Sequence, residues 1–122
     1  MKTTILVLLL ATMPAMADEW TTADKQREAV YLALHAVDWA QTRTIARNPG
    51  KHAEGGVVAS RVIGTHPSVG KVDAYMAGSA VLVAVVARAL PSEYRSVFQY
   101  VTIGDSAYSV GNNFRIGIGM HF

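Results

Sequence analysis

The chain of 122 residues contains no cysteine. It therefore forms no disulfide, no thiolate metal site and no lipid-modified cysteine after a leader. Charged residues make up only 16% of the chain, and the formal net charge is +2. Because the lysines and arginines do not cluster, nucleic acid is not an expected partner. Stability must come from packing, from a bilayer or from a partner.

The N-terminus has the three parts of a secretory signal peptide. A short basic start contains Lys2, an apolar run extends over residues 5–11, and residues 15–17 provide an Ala-x-Ala end. The apolar run is shorter than the about 20 residues that span a bilayer. We therefore expect residues 1–17 to be a cleaved signal peptide and residues 18–122 to form a single helical domain exported to the cell envelope.

Polar residues in the first predicted helix fall on one narrow stripe. Their spacing of 4, 3, 4, 3 and 4 residues puts them on one face of a helix predicted from about residue 23 to residue 47. The stripe consists of Asp24, Glu28, Tyr31, His35, Asp38 and Thr42. The rest of the helix is mainly apolar, which inverts the usual surface helix. This pattern predicts polar side chains that face neighbouring helices, in a membrane or in a tightly packed bundle.

Two more helices are expected after a long loop. Five glycines and two prolines indicate a loop over residues 48–70, followed by a helix from about residue 68 to the residue before Pro91. Ser92 is the expected N-cap of a third helix that reaches about residue 110. Alternating apolar residues over 114–122 indicate a strand-like tail. The predicted fold is thus mainly α: a three-helix bundle with a long Gly-rich loop and a short C-terminal strand-like tail.

The second predicted helix has no charged residue between Asp73 and Arg88. A stretch of this length fits a short membrane span or a buried core helix. Asp73 also begins a stripe at the 4-3-4-3 spacing, continued by Ala77, Ala80, Ala84 and Ala87. Small residues allow a neighbouring helix to approach closely, in a membrane or in a soluble bundle.

Two carboxylates are expected to lie deep in the protein if its helices are in lipid. An ionisable group at that depth costs at least about 2.5 kcal/mol unless it finds a partner. The two are Asp38 on the first helix and Asp105 on the third. The partners expected for them are Tyr31, His35, Arg95 and Gln99.

A few residues could bind a metal ion or take part in catalysis. His35 and Asp38 lie three residues apart, and Glu54, His66 and Asp73 could approach them to hold a divalent metal ion. However, no HExxH or other regular ligand spacing is present, and a buried histidine paired with a carboxylate explains the pattern equally well. The Gly-x-Ser-x-Gly motif is absent, and no spacing singles out two carboxylates for glycoside hydrolysis. The sequence therefore indicates no cofactor and leaves open whether the chain is an enzyme.

Three segments resemble a known family. They are residues 38–43 (Asp-Trp-Ala-Gln-Thr-Arg), Glu54, and residues 64–72 (Gly-Thr-His-Pro-Ser-Val-Gly-Lys-Val). The pattern D-x-x-Q-T followed by G-x-H-P-S is similar to that of small exported or membrane proteins of tailed phages, prophages and proteobacteria. The chain departs from the pattern at residues 54–56, where the family has E-x-N-P. The resemblance implies a helical, membrane-associated protein of phage origin, and it implies no particular activity.

Two hypotheses follow for the function. The first is an exported, non-enzymatic protein of the cell envelope, with the bacterial membrane as its partner and a protein partner or a second copy of the chain in addition. The alternative is a soluble periplasmic metal-dependent enzyme or inhibitor module. Its candidate residues are His35, Asp38, Glu54 and His66.

Overall fold

A computed structural model describes residues 19–50 and 57–118 of the chain. This part is mainly helical, as the sequence predicts, and it contains no strand. Its helices are α1 (Thr22–Arg47), α2 (Val57–Ile63), α3 (Val69–Ala89) and α4 (Ser92–Arg115). The predicted signal peptide and Glu54 lie outside the described residues.

Local signals in the sequence explain where the long helices begin and end. The Thr21 hydroxyl accepts a hydrogen bond from the Asp24 backbone N–H (3.1 Å), and the Asp24 carboxylate accepts one from the Thr21 N–H (2.9 Å). This reciprocal pair is a capping box that fixes the start of α1. Ser68 caps α3 through the Lys71 N–H (3.2 Å). Pro91 separates α3 from α4, because proline cannot continue a helix. The prediction that Ser92 is the N-cap of this helix is wrong, because Pro91 takes the N-cap position and Ser92 is the first residue of α4.

The three long helices form an up-down-up bundle. Arg95 in the first turn of α4 contacts Asp24 in the first turn of α1, and Asn113 near the end of α4 contacts Gln41. Helices α1 and α4 therefore run parallel to each other. Helix α3 runs antiparallel to both, because Ala87 near its end is bonded to Arg95.

The prediction of a loop over the whole of residues 48–70 is wrong, because Val57–Ile63 forms helix α2. A helix of seven residues has little stability of its own and depends on tertiary packing. Here Ile63 is buried against Val72 and Met76, with Trp39 at the edge of the cluster. This apolar cluster lies where α2, α3 and the second half of α1 meet.

The prediction of a strand-like tail is wrong for residues 114–118, and residues 119–122 lie outside the described part. Helix α4 continues to Arg115 and ends in a Schellman motif. The Gly117 N–H donates to the Phe114 carbonyl (3.1 Å), and the Ile118 N–H donates to the Asn113 carbonyl (2.9 Å). Gly117 has a φ of 89°, which favours glycine at this position.

Candidate functional site

The polar stripe of α1 faces the inside of the bundle. All its members are buried except Asp38, which is half-buried. On the two flanks of this stripe, Val30 is 48% exposed and Leu32 is 46% exposed. This orientation agrees with the inverted pattern of the sequence and places a column of polar groups between the helices.

Arg95 joins all three long helices at one end of this column. Its side chain is fully buried and donates to the Ala87 carbonyl (2.7 Å) and the Leu90 carbonyl (2.9 Å) at the end of α3. It also donates to the Asp24 carboxylate on α1 (3.0 Å). The Trp20 ring covers the guanidinium at 5.2 Å. Arg95 thereby satisfies carbonyl groups that the end of α3 leaves without helical partners.

Gln99, one turn further along α4, connects the two parallel helices. Its side-chain amide donates to the Asp24 backbone carbonyl (3.0 Å) and to Glu28 Oε2 (3.3 Å), and its oxygen accepts from Arg27 Nε (2.9 Å). Arg27 also forms an ion pair with Asp24. The second carboxylate oxygen of Glu28 has no hydrogen-bond partner in the described part of the chain. The interior of this end of the bundle is therefore a network of charged and amide groups.

His35 connects α1 to α3 in the middle of the bundle. Its Nε2 lies 2.8 Å from the Met76 carbonyl oxygen, and its Nδ1 lies 3.4 Å from the Tyr31 hydroxyl. A carbonyl only accepts, so Nε2 carries the hydrogen in this contact. Both ring nitrogens are thus engaged in contacts within the bundle, which is a structural role.

Asp38 and Thr42 bond to each other within α1, and Asp73 belongs to the contact between α1 and α3. The Thr42 hydroxyl donates to the Asp38 backbone carbonyl (2.7 Å). Asp73 accepts from Trp39 Nε1 (2.8 Å) and pairs with Arg43 (3.1 Å). These contacts lie near the apolar cluster under α2.

His66 is exposed in the linker between α2 and α3, where its ring contacts the Thr65 hydroxyl (3.2 Å). His35 is buried inside the bundle, so the described structure does not combine the two histidines in one cluster. Among residues 19–50 and 57–118, no group of three histidine, aspartate or glutamate residues is placed to hold a metal ion.

The expectation that Asp105 pairs with an interior group is wrong. Asp105 is exposed on the outer side of α4, and its neighbour Ser106 takes the buried position. Ser106 follows Arg95 and Gln99 on the inner face of α4, and a step of one residue, about 100° on a helix, turns Asp105 away from that face. Arg95 and Gln99, which the sequence offered as partners, bind the first turns of α1 instead.

The polar spacing in the sequence does not single out Gln41 and Asn113, two polar residues that contact each other near the ends of α1 and α4. Gln41 is fully buried, donates to the Val110 carbonyl (3.3 Å) and accepts from Asn113 Nδ2 (3.0 Å). It lies one position away from the Asp38–Thr42 line, so the spacing of the stripe does not select it. Gln41 is the glutamine of the D-x-x-Q-T motif, and this motif is the sequence feature that could have identified it.

The alanine stripe of α3 does not form its packing face as a whole. Ala87 is buried, but Ala77 and Ala84 are exposed. The face that packs against the bundle instead contains Val72 and Met76, because α2 and His35 meet the helix there.

Large apolar side chains are exposed on the outer surface of the long helices. Val81 on α3 is 64% exposed, and Val101 on α4 is 64% exposed. Among residues 19–50 and 57–118, α3 is the one helix that is long and apolar enough to cross a membrane, and little of it is buried in the structure. Comparisons with family models, with curated protein sequences and with solved structures find no match for this chain.

Proposed function

We propose that this chain is a small, non-enzymatic membrane protein of a bacterial envelope, in which three helices cross the bilayer around a hydrogen-bonded interior. The observation that carries the proposal is the placement of polar side chains inside and apolar side chains outside. Lipid tails provide no hydrophobic force between helices, so packing and hydrogen bonds hold membrane helices together. Arg95, Gln99 and His35 supply such bonds between the helices of this bundle.

The distribution of charge along α3 supports the proposal. Lys71 and Arg88, near its two ends, are about 26 Å apart along the helix axis at about 1.5 Å per residue. Between them the helix exposes uncharged residues, apart from the half-exposed Asp73, which is paired with Arg43 near one end. The length of this band is close to the about 30 Å of bilayer hydrocarbon.

Helix α4 also carries charged residues near its two ends and exposes uncharged residues between them, with one exception. Glu93 and Arg115 near its ends are about 33 Å apart along the axis. The outer face between them carries exposed apolar and aromatic residues such as Val97 and Tyr108. Asp105 is the single charged residue exposed in this interval of the helix.

Two features of the sequence support an envelope location and a phage origin. The N-terminus has the organisation of a signal peptide. The D-x-x-Q-T and G-x-H-P-S motifs resemble those of small exported or membrane proteins of phages and prophages. We therefore infer that the chain acts in the envelope through contacts with the membrane and with other proteins in it.

Fractionation of cells that express the full chain tests this proposal. We expect the protein to stay in the membrane pellet after alkaline carbonate washing, and we expect Val81→Asp to remove it from that fraction. Val81 is exposed near the middle of α3, where an aspartate costs at least about 2.5 kcal/mol in lipid. At an exposed position in water the same change has an effect within about 0.5 kcal/mol.

Arg88→Asp is the matched control, because it places the same residue at the exposed end of the same helix. We expect this variant to fractionate as the wild type does. Wild-type protein in the soluble periplasmic fraction, together with full tolerance of Val81→Asp, would contradict membrane insertion.

A further inference from the structure

We propose that a second copy of this chain docks in parallel on the outer face of α4, and that Asp105 of each copy accepts a hydrogen bond from Tyr100 of the other. This inference rests on the proposed membrane location, because only there does Asp105 require a partner. Three observations on α4 indicate that a second copy of the chain covers this face. They are the unpaired carboxyl group, the spacing of the exposed residues and the position of a complementary hydrogen-bond donor.

Asp105 is an exposed residue near the middle of α4. It is within about 2 Å of the midpoint of α4, measured along the helix axis. The residue is exposed and makes no hydrogen bond or ion pair with the described part of the chain. A carboxyl group at the centre of a bilayer is costly unless another group pairs with it, and lipid tails offer no donor.

The exposed residues of α4 form a heptad pattern along its outer face. They follow a spacing of 3, 4, 3, 4, 3 and 4 residues, which is typical of the a and d positions of a coiled coil. The line consists of Tyr94, Val97, Val101, Gly104, Tyr108, Gly111 and Arg115, all of them exposed. A Cβ atom placed at Gly104 or Gly111 would meet no atom within 4 Å. These glycines therefore leave room for the backbone of a neighbouring helix.

The same heptad register places Tyr100 and Asp105 at the flanking g and e positions. In a parallel pair of helices, the g residue of one heptad faces the e residue of the next heptad on the partner helix, which is five positions further along. Tyr100 is 63% exposed and carries a hydroxyl donor. The Arg27 guanidinium lies 5.4 Å from the Tyr100 ring centroid and adds positive charge beside it. This surface complements the carboxyl group of the second copy.

A twofold axis makes the contact reciprocal. Each copy then offers Tyr100 as donor and Asp105 as acceptor, so both carboxyl groups are satisfied by one interface. An antiparallel pair would not bring these two residues together, because in that arrangement g residues face g residues and e residues face e residues.

Cysteine cross-linking in liposomes tests the interface and its direction. The chain has no cysteine of its own, so each variant reports on one position in full-length protein reconstituted in phosphatidylethanolamine and phosphatidylglycerol. We expect Val97→Cys and Tyr108→Cys each to form disulfide-linked dimers under mild oxidation. These positions are about 16 Å apart along the axis, so both link to themselves only in a parallel pair. Val81→Cys on α3 is equally exposed and should stay monomeric.

Two hydroxyl deletions test the hydrogen bond itself. We expect Tyr100→Phe to weaken dimerisation, measured by energy transfer between labelled copies in the same liposomes, about three- to tenfold. Asp105→Asn retains an acceptor and should weaken it less than Asp105→Ala does. Tyr94→Phe is the control, because it removes an exposed hydroxyl of the same helix face at a position that does not face Asp105 in this arrangement. Equal effects of Tyr94→Phe and Tyr100→Phe would overturn the assignment.

The failure of this inference can be distinguished from the failure of the proposed function. Carbonate-resistant protein that stays monomeric, or that cross-links through Val81→Cys as well as through Val97→Cys, would overturn the α4 interface and leave the membrane location intact. In cells, cross-linking of the α4 cysteines to another protein in place of a second copy would also overturn it. Release of the protein by carbonate washing would contradict the membrane location, on which both the proposed function and the α4 interface depend.

Discussion

Asp24 and Arg95 form an ion pair between the first turns of α1 and α4, with side chains that are 2% and 0% exposed and 3.0 Å apart. The pair is part of a larger arrangement, because Asp24 also completes the capping box of α1 and Arg95 also binds the last carbonyls of α3. Two residues that are 71 positions apart in the chain thus fix the ends of three helices at the same level.

We expect Arg95→Ala to destabilise the bundle strongly. Removal of one member of a buried ion pair leaves the other uncompensated and costs about 3–5 kcal/mol. Here it also leaves the Ala87 and Leu90 carbonyls without their donors. Arg95→Lys should not restore stability, because an ammonium group lacks the planar fork that reaches these acceptors and Asp24 together. Thermal unfolding in mild detergent measures the difference.

The double variant Asp24→Asn/Arg95→Ala provides the control for this prediction. It removes the charge that Arg95→Ala leaves unpaired, so its stability should exceed that of Arg95→Ala alone. If Arg95→Ala unfolds at the wild-type temperature, the ion pair has no part in holding the helices together.

The two histidines should respond differently to the same substitution. His35 is buried and bonds the Met76 carbonyl and the Tyr31 hydroxyl, whereas His66 is exposed. We expect His35→Ala to cost about 1–3 kcal/mol, because it deletes a buried hydrogen-bonding group and leaves a cavity. His66→Ala should change the stability by less than about 0.5 kcal/mol. Chemical denaturation of both variants under the same conditions checks this difference.

The boundaries of α1, its inner face and the break between α3 and α4 could be predicted from local chemistry. Thr21 and Asp24 form a capping box that is legible in the sequence, and Pro91 followed by Ser92 marks the break between two helices. The 4-3-4-3 spacing identifies the inner face of α1 because helix geometry alone decides which residues share a face.

Other features depend on contacts that the sequence does not encode locally. Helix α2 exists because Ile63 finds an apolar cluster formed by residues of α1 and α3. Apolar residues alternate over 114–118 as they do in a strand. Instead, helix α4 ends there, with Gly117 in the left-handed conformation of its C-terminal cap. Asp105, by contrast, lies beside Ser106, and the helical spacing of Arg95, Gln99 and Ser106 already indicates that Ser106 is the residue inside.

We expect Asp73 to affect the fluorescence emission of Trp39 more than the stability of the bundle. It accepts from the indole N–H (2.8 Å) and pairs with Arg43 (3.1 Å), and its side chain is 39% exposed. Because a partly exposed ion pair contributes about 0–1 kcal/mol, Asp73→Asn should change the stability little. Asp73→Leu should also break the indole hydrogen bond and shift the Trp39 emission. The emission is measured in a Trp20→Phe background, which leaves Trp39 as the single tryptophan. Identical spectra for Asp73→Asn and Asp73→Leu would contradict the contact.

The two ends of the bundle differ in their basic residues, and this difference predicts the orientation of the chain in the membrane. Lysine and arginine in short loops favour the cytoplasmic side. One end and its connecting segments contain Arg43, Arg47, Arg61, Lys71 and Arg115, and the other end contains Lys25, Arg27, Arg88 and Arg95. Arg95 is buried and paired, which increases the difference between the two surfaces. We therefore expect the first end to face the cytoplasm.

Labelling of single cysteines with a membrane-impermeant maleimide measures this orientation. Asn48 and Glu93 are exposed at opposite ends of the bundle, and the chain has no cysteine to interfere. In intact spheroplasts Glu93→Cys should react, whereas Asn48→Cys should react only after permeabilisation. Val81→Cys should stay unreactive in both states, because the polar, membrane-impermeant maleimide does not enter the apolar part of a bilayer. Reaction of both end positions in intact spheroplasts would contradict a bundle that crosses the membrane, since its two ends would then lie on the same side.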